Sequence, residues 1–563
     1  MRAFGLFAAL YAVLLMGGCT TAKPPQPNVP SQAADVASRL NERFNNAVQD
    51  CGVNQPAYEC SGVLIRRSTY NPNVEFWKHS EAAKALGSVT FSFLRTDANT
   101  TFSDASGYVL MDKLTSDQAI KTWPAFRCIY PFIATTQNVG RPLNGCGFIP
   151  TANDQSTCAG LVDPAVTPEK WIANFVRFGS NPRNQCSLST ENPEQFITSL
   201  RVREYLPDQS GKLLNEVLLA TWNEEAPEKL PVEAFFYNAA FPGSLINAQA
   251  LRHTYKIKTG QTLPIVRLDF KAATSNRFSL RPQDQEGGWE VAERLNARFQ
   301  NRDGQCADGR APVYCSGVLA RATEPNPPYH VWNPKPDTKS GVAPKPSATP
   351  KPDAVGAVSF SYLRADIHTP NLFTPQGLLF GSLGYPSDSG IEAITPTCIY
   401  MADSNTWQRP DLGCGPNNGY YPVDSGPCAS MGINDLTALT EHYLKEPADP
   451  TWKRINHQCS LAIEPTSFML SIQGRATLIK GNESSYHGYN EIMLKSWPQD
   501  IPDRLPLDAI FYAAAGGAAA LGQAKLIQQD LFKHSADLVK PIVRVELGAV
   551  APGFTYRRED QSY

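Results

Sequence analysis

The feature that most constrains the fold of this 563-residue chain is that its second half repeats its first half. Segments return in the same order, and the matched pairs are ASRLNERFNNAVQDC with AERLNARFQNRDGQC, CSGVL with CSGVL, SVTFSFLRTD with AVSFSYLRAD, RNQCSL with NHQCSL, NEVLLATW with NEIMLKSW, LPVEAFFYNAA with LPLDAIFYAAA, and PIVRLDF with PIVRVEL. The period is as long as a domain, far beyond the roughly 20–50 residues of a solenoid repeat. We therefore expect a duplicated domain, with copies at 33–280 and 286–563 and a joint at 281–288.

The cysteines follow the same duplication. Of thirteen cysteines, Cys19 stands apart and the other twelve divide into two sets of six in matching order. An even set in an exported chain indicates disulfides. The close pairs Cys51–Cys60 and Cys306–Cys315 are predicted to bond locally. The pairing of the remaining cysteines stays open: Cys128, Cys146, Cys158 and Cys186 in the first copy, and Cys398, Cys414, Cys428 and Cys459 in the second.

The secondary structure expected from the sequence is mixed. Residues 33–48 place apolar side chains at helical spacing, and Pro168–Phe178 is a second predicted helix. Short segments rich in β-branched or aromatic residues are predicted strands: Val63–Ile65, Val89–Leu94, Val232–Tyr237 and Pro264–Phe270. These patterns predict an α+β class, with two homologous disulfide-stapled domains in tandem, each a mixed sheet with flanking helices. The Pro- and Lys-rich insertion 333–353 is predicted to be a disordered loop of the second copy.

The N-terminus indicates export. The apolar run Phe4–Met16 is too short for a membrane span and has the length of the apolar part of a signal peptide. The run ends in Leu-Met-Gly-Gly-Cys, which resembles the lipobox of bacterial lipoproteins. The resemblance implies a signal peptide at 1–18, lipidation of Cys19 and a Pro-rich tether at 19–32. Thr20 then favours an outer-membrane lipoprotein of the cell envelope, facing periplasm or exterior. An ordinary secretory signal is the alternative.

Charge and motifs disfavour several function classes. The formal net charge is −2 and no basic stripe stands out, which disfavours a nucleic-acid partner. The sequence lacks GxSxG, HExxH and Walker motifs. Its eight histidines do not match between copies, which disfavours histidine-dependent catalysis shared by both. A zinc site would need CxxC-like spacing with His, so we predict no metal.

One polar set does match between the copies. Arg66 aligns with Arg321, each after a short apolar strand. A hydroxyl-x-Ser pattern ends at Ser92 in the first copy and at Ser361 in the second. An Asn-Glu pair follows in both, and its acidic members are Glu216 and Glu491.

These segments also resemble a known family. CSGVLIR, CSGVLAR, VSFSYLR, the NE…W segments and LPVEAFFY are similar to those of the halovibrin-like secreted bacterial proteins, over nearly the whole of each copy. Halovibrins were described as mono-ADP-ribosyltransferases. That class uses an Arg on an early strand, a Ser-x-Ser strand and a later Glu to bind NAD and break its nicotinamide–ribose bond. The resemblance implies NAD-binding residues Arg66, Ser92, Arg321 and Ser361 and catalytic residues Glu216 and Glu491.

The chemistry of these residue types suits that reaction. Arg offers a planar fork for a phosphate, and a carboxylate can stabilise an oxocarbenium-like transition state. The sequence departs from the arginine-targeting pattern, which has Glu or Gln two positions before the catalytic Glu, because Leu214 and Tyr489 stand there. NAD hydrolysis, or transfer to another protein acceptor, therefore fits better than transfer to arginine.

Each candidate residue also has a structural interpretation. Arg66 could form an ion pair at a strand end, Ser92 could face solvent on an alternating strand, and Glu216 could lie on the polar face of a helix. A further pair, Arg95 and Arg364, is a candidate that could instead pair with Asp97 and Asp366. For the whole chain, the alternative function is a non-enzymatic surface lipoprotein that acts as a bivalent binding or adhesion module.

Overall fold

The computed structural model describes most of both copies. The described residues are 31–52, 55–98, 106–111, 121–150, 154–206, 214–241, 243–270, 277–325, 330–332, 356–381, 383, 394–404, 406, 409–416, 426–445, 454–455, 457–479, 488–497, 505–535, 538–548 and 552–563. The predicted signal peptide, Cys19, the tether up to residue 30 and the insertion 333–353 lie outside them. Of the helices in these ranges, none has the length and apolar character of a bilayer span.

The first copy is built on a mixed sheet of eight strands. After a small hairpin of β1 (Asp50–Gly52) and β2 (Gln55–Pro56), its strands are β3 (Val63–Arg67), β4 (Ser88–Leu94), β5 (Ser106–Leu110), β6 (Phe126–Tyr130), β7 (Glu216–Ala220), β8 (Val232–Asn238), β9 (Ile265–Leu268) and β10 (Phe278–Ser279). They lie in the order β10-β9-β8-β5-β3-β4-β7-β6. Among the strands described for this copy, only the β8–β9 pair is parallel.

The second copy repeats this sheet. Its strands are β11 (Val318–Ala322), β12 (Ala357–Leu363), β13 (Gln376–Phe380), β14 (Pro396–Tyr400), β15 (Leu461–Ala462), β16 (Glu491–Lys495), β17 (Leu507–Ala513), β18 (Ile542–Glu546) and β19 (Gly553–Tyr556). From one edge they run β19-β18-β17-β13-β11-β12-β16-β14-β15. The extra edge strand β15 corresponds to a single bridge between Ile129 and Leu188 in the first copy. The two sheets confirm the predicted α+β tandem architecture.

Helices flank both sheets. In the described ranges they are α1 (Ser31–Asn45), α2 (Glu81–Leu86), α3 (Thr136–Val139), α4 (Pro142–Gly145), α5 (Pro168–Arg177), α6 (Pro193–Arg201), α7 (Ser244–Thr259), α8 (Gly288–Gln300), α9 (Pro410–Gly413), α10 (Leu436–Leu444), α11 (Pro465–Gly474) and α12 (Gly517–His534). Helix α5 begins where Thr167 accepts the backbone N–H of Lys170, with Pro168 in the first turn. This start is the arrangement expected of a capped helix with an early proline.

Each face of the first sheet has its own core. Strand β4 alternates, so that Phe91 and Phe93 enter the large core shared with the Cys-rich region and α7, whereas Leu94 enters a smaller cluster with Ile65 under α1. The period of two that makes Val89–Leu94 a predicted strand thus also divides its side chains between two layers. The hydroxyl of Ser92 lies on the α1 side.

All twelve described cysteines form disulfides. The two predicted local bonds, Cys51–Cys60 and Cys306–Cys315, are confirmed. The pairs that the sequence left open are Cys128–Cys146, Cys158–Cys186, Cys398–Cys414 and Cys428–Cys459. The bonds of the two copies correspond one to one.

The repeated CSGVL motif forms a structural corner that starts β3. Ser61 Oγ donates to the Ala57 carbonyl at 2.7 Å and accepts from Arg95 Nη1 at 3.0 Å. Gly62 has φ 68°, and a Cβ there would lie 2.0 Å from the ring of Phe93. Only glycine meets both conditions, which gives a packing reason for the motif in both copies.

The folded first copy extends beyond residue 280, where the sequence predicted its end. The Tyr237 hydroxyl donates to Asp284 at 2.6 Å, and Gln285 bonds both backbone groups of Ile265. In the second copy the same contacts join Tyr512 to Asp560 and Gln561 to Ile542. The segment through Gln285, predicted as part of the joint, therefore packs as the last element of the first copy.

The two copies contact each other directly. The His253 ring of α7 stacks on Trp289 of α8, with centroids 4.0 Å apart and planes inclined by 6°. Arg252 lies 3.5 Å from Glu290, and Tyr563 packs against Gly243. Aromatic and charged contacts thus connect the copies without a spacer.

Candidate functional site

A cleft opens in the first copy where two neighbouring strands separate. Strand β3 pairs with β4 only over Val63–Ile65, after which β3 continues along β5 and β4 continues along β7. The resulting cleft has a volume of about 460 Å³. Its lining residues are Ile65–Thr69, Thr90–Ser92, Ser106, Ile133, Thr135–Asn138 and Leu214–Glu216. Arg66, Ser92 and Glu216, which were predicted from separate segments, all border it.

Glu216 begins strand β7 and is 3 % exposed. The helical alternative for this residue is therefore wrong. Its Oε2 accepts the backbone N–H groups of Ala134 at 2.6 Å and Thr135 at 2.9 Å. Its Oε1 accepts the N–H of Thr136 at 3.3 Å and the hydroxyl of Thr136 at 2.5 Å. Because a carboxylate has about four lone-pair sites, these donors fill its acceptor capacity.

The bonds to Glu216 hold an unusual loop conformation. Thr135 has φ 55°, in the left-handed region that costs most non-glycine residues energy. The carboxylate binds the N–H groups on both sides of the strained residue. Glu216 thus fixes the wall of the cleft as well as contributing to its floor.

Ser92 and Asn215 connect strands β4 and β7 next to Glu216. Ser92 Oγ donates to the Asn215 carbonyl at 3.2 Å. The Asn215 side-chain amide accepts from the Phe93 N–H at 2.7 Å and donates to the Phe93 carbonyl at 2.8 Å. Asn490 makes the same two bonds with Tyr362. The Asn of the repeated Asn-Glu pair therefore extends the sheet, and the Glu holds the loop.

Arg66 borders the cleft, but its guanidinium lies on the other face of the sheet. It is register-paired with Tyr108, whose ring belongs to the large core. Its Nη1 donates to the Tyr108 hydroxyl at 3.2 Å, and its Cζ lies 5.7 Å from the Trp222 ring centroid and 5.9 Å from that of Phe91. Since opposite residues of a pair share a face, Ser92 and Glu216 are brought together and the Arg66 side chain is not.

Arg67 is the residue that sequence reasoning missed. It lines the cleft, is exposed, and follows Ile65 by two positions, which places it on the Ser92 face. The comparison of the two copies favoured Arg66 over Arg67, because Ala322 occupies the position equivalent to Arg67 in the second copy. The alternation of β3 is the signal that could have found it.

The second copy keeps the same scaffold. Arg321 is 9 % exposed, with its Cζ 5.6 Å from the Trp497 ring centroid, and Ser361 is buried. Glu491 Oε2 accepts the N–H of Ser404 at 2.8 Å, and its Oε1 accepts the hydroxyl of Thr406 at 2.5 Å. The predicted residues therefore occupy equivalent positions in the two sheets.

An additional carboxyl group beside Glu491 is a difference between the second copy and the first. Asp403 stands where the first copy has Ile133, since Tyr400–Ser404 aligns with Tyr130–Ala134. Burial, followed by the negative charge of Asp403, raises the pKa of Glu491 to about 7, against bonds from Thr406, Ser404 and Ser359 that lower it. The second site thus holds two neighbouring carboxyl groups.

The remaining arginine candidates have structural partners. Arg95 Nε and Nη2 donate to the two carboxylate oxygens of Asp97 at 2.6 and 2.7 Å. Arg364 makes the same two bonds with Asp366. These bidentate pairs support the structural interpretation of both arginines.

Neither a search for metal-binding groups nor comparison with known proteins assigns a function to the cleft. Within the described ranges, no group of three or more His, Cys, Asp or Glu residues is placed to hold a metal ion. No family model matches the chain, and a search of curated proteins returns no match.

Proposed function

We propose that the chain is an NAD-consuming enzyme, which hydrolyses the nicotinamide–ribose bond or transfers ADP-ribose to an acceptor at the cleft of the first copy. The observation that supports this is the shared position of Ser92 and Glu216, whose side chains lie on one face of adjacent strands in a cleft of about 460 Å³. That volume is in the range of small-molecule sites, roughly 300–1,000 Å³. The resemblance to halovibrin-like proteins points the same way.

The proposed reaction needs negative charge more than a proton donor. The C–N bond of NAD breaks with both electrons going to the nicotinamide nitrogen, so the nicotinamide leaves neutral and the ribose carbon becomes positive. A buried carboxylate beside that carbon lowers the barrier electrostatically. Glu216 is 3 % exposed and held by four donors, which fixes its charge in place before the substrate arrives. Water, or an acceptor nucleophile, then adds to the ribose carbon and loses a proton.

Arg67 is the residue proposed to contact a phosphate of NAD. It lies at the exposed edge of the cleft, whereas the Arg66 guanidinium contacts Tyr108 on the opposite face. An arginine fork suits the paired oxygens of a phosphate. The phosphate-binding role expected of Arg66 therefore moves to its neighbour in this proposal.

A second candidate function is the non-enzymatic binding module. It is favoured by the saturation of Glu216, because the donors from Ala134, Thr135 and Thr136 leave no acceptor site for a ribose hydroxyl. In this interpretation the repeated Glu is a structural residue in both copies. The cleft then binds a polar ligand without changing it.

Nicotinamide release from NAD by the purified full chain separates the two functions. We expect release by the wild type and a loss on the order of 10²-fold in Glu216→Gln, the size of effect seen when one stabilising group of this kind is removed. Arg67→Ala should raise the KM for NAD with little change in kcat. Glu225→Gln is the matched control, since Glu225 is exposed and outside the cleft. Wild-type protein that binds NAD without releasing nicotinamide would overturn the enzyme in favour of the binding module.

A further inference from the structure

The rim of the cleft in the first copy reaches the second copy. After strand β3 the chain continues as a rim segment, residues 68–70, and its first two residues, Ser68 and Thr69, line the cleft. The third, Tyr70, places its ring 6.5 Å from the ring of Trp289 in the second copy, with the planes inclined by 63°. Aromatic pairs attract one another at this separation and in this edge-to-face geometry. We infer that Trp289 is a positioning residue, through which the second copy holds the rim of the cleft in the first copy.

The backbone of the rim segment is fixed from within the first copy. The Tyr70 N–H donates to Asn247 Oδ1 at 2.7 Å, and Asn247 Nδ2 donates to the Ser68 carbonyl at 3.1 Å. The Ser68 N–H donates to the Ser106 carbonyl at 3.0 Å. Asn247 is buried on α7, so these bonds tie the rim to a packed helix. The ring of Tyr70 packs partly on the large core of the first copy and extends from there to Trp289.

Trp289 is itself held firmly enough to support a neighbour. Its ring stacks on His253 of the first copy at 4.0 Å and lies 4.5 Å from the ring of Tyr556 in β19. A Cβ at the preceding Gly288 would lie 2.0 Å from the Tyr556 ring, so the start of α8 sits directly on that ring. A side chain that is packed by both copies transmits the position of one to the other.

A second contact places Tyr70 beside the second copy. Burial, followed by the negative charge of Glu559, raises the pKa of Tyr70, and the positive charge of Arg558 opposes that rise. Both charged residues follow β19 and belong to the last segment of the second copy. The Tyr70 ring therefore lies among groups of the second copy on more than one element.

The two aromatic residues differ from their counterparts in the other copy. Trp289 aligns with Ala34, and Tyr70 aligns with Pro325. A role in the common fold would favour the same residue type in each copy, as it does for the repeated Asn-Glu pair. The Tyr70–Trp289 contact is therefore a property of the junction between the copies.

The position of the rim bears on ligand binding more than on chemistry. Arg67, which is proposed to contact a phosphate, directly precedes Ser68, so a displaced rim moves both residues. Glu216 is held separately by the loop 134–136. Loss of Trp289 should therefore raise the KM for NAD and leave kcat unchanged. This consequence rests on the proposed function, whereas the order of the rim segment does not.

Hydrogen exchange of the full chain, without NAD, tests the support of the rim. Trp289→Ala introduces the residue of the first copy, so α8 should still fold. We expect the amides of Ser68 and Tyr70 to exchange on the order of fivefold faster in this variant, the effect of losing one aromatic pair. Trp289→Phe keeps a ring and should stay close to wild type. Phe532→Ala is the matched control, because Phe532 packs on Tyr563 at a different contact between the copies.

Nicotinamide release supplies the second readout, with a KM on the order of fivefold higher in Trp289→Ala and an unchanged kcat. Four results would overturn the inference. They are unchanged exchange of the rim in Trp289→Ala, equal acceleration in Phe532→Ala, faster exchange throughout the first copy, and faster exchange of the rim with an unchanged KM. A wild type that releases no nicotinamide would refute the enzyme proposal instead, and the exchange rates would then decide the role of Trp289.

Discussion

Replacing Glu216 by Gln should destabilise the first copy strongly, whatever the function of the cleft. The wild-type carboxylate accepts four bonds, from the N–H groups of Ala134, Thr135 and Thr136 and the hydroxyl of Thr136. Gln keeps one acceptor oxygen and places an NH₂ group against two of these donors. Two charge-assisted bonds are lost, and their donors stay buried without partners.

The magnitude follows from the number of bonds. Hydrogen bonds to charged groups contribute roughly 1.5–3 kcal/mol each, so the loss of two predicts a destabilisation of about 3–6 kcal/mol. That is a large share of the ~5–15 kcal/mol of a typical domain. The strained φ of Thr135 adds to the cost of any variant that releases the loop. Thr136→Val removes a single bond and should cost about 1.5–3 kcal/mol.

Urea denaturation followed by circular dichroism measures the effect. The two copies can unfold in separate transitions, and Glu491→Gln identifies the transition that belongs to the second copy. With a slope on the order of 2 kcal/mol/M, the first-copy midpoint should fall by roughly 1.5–3 M in Glu216→Gln. Glu225→Gln should stay within about 0.5 kcal/mol of wild type. If Glu216→Gln also stayed within about 0.5 kcal/mol of wild type, the view that this carboxylate holds the loop would be refuted.

The remaining predictions concern a titration, a disulfide and the contact between copies. The pKa of Glu491 is raised to about 7, so its contribution to stability is full below its unfolded pKa of ~4.3 and is lost as the pH rises through 7. The free energy of unfolding of the wild type should therefore fall more steeply than that of Glu491→Gln between pH 5 and 8. Parallel pH curves for the two proteins would contradict this. Removing Cys158–Cys186, whose cysteines are 28 residues apart, should cost about 3–4 kcal/mol in urea denaturation, and a cost below ~1 kcal/mol would contradict it. Burial lowers the pKa of His253, so Trp289→Ala should raise the His253 pKa toward its ordinary value in an NMR titration. An unchanged pKa in the variant would contradict the view that Trp289 buries the ring.

The sequence predicted the architecture because the relevant signals were local or duplicated. The alternation in Val89–Leu94 is local, and so is the Cys51–Cys60 bond, which closes over nine residues. Matching segments in the same order sufficed for the tandem organisation. The bond Cys128–Cys146 depends on how β6 packs against the loop that follows it. That packing could not be predicted from the spacing of the cysteines in the sequence.

The candidate site was predictable in part. Arg66, Ser92 and Glu216 were expected near one another, and they border one cleft. The loop that saturates Glu216 lies about 80 residues earlier in the chain, so its role was not visible in the sequence. Comparing the copies for agreement selected Arg66 over Arg67. Agreement between copies can also reflect a shared packing role, here the position of the Arg66 guanidinium beside Trp222 and of its counterpart Arg321 beside Trp497.

Differences between the copies carried information that the search for agreement passed over. Ile133 and Asp403 occupy equivalent positions after Tyr130 and Tyr400, and the change of an apolar residue to a carboxylate is visible in the sequence alone. The structure was needed to interpret this change, because only the fold brings Asp403 close enough to Glu491 for its charge to raise the pKa of Glu491.

The junction between the copies has a geometric consequence. The first copy closes with Gln285, and the N-cap of α8 follows at Gly287, so Glu286 alone lies between them. Its carboxylate is itself fixed by two bonds of 2.8 Å from Arg294. Such a junction cannot lengthen or swivel to suit a partner. A macromolecule that engaged both copies would have to present its two groups at one set distance and angle, and partners with other spacings would be held by one copy only.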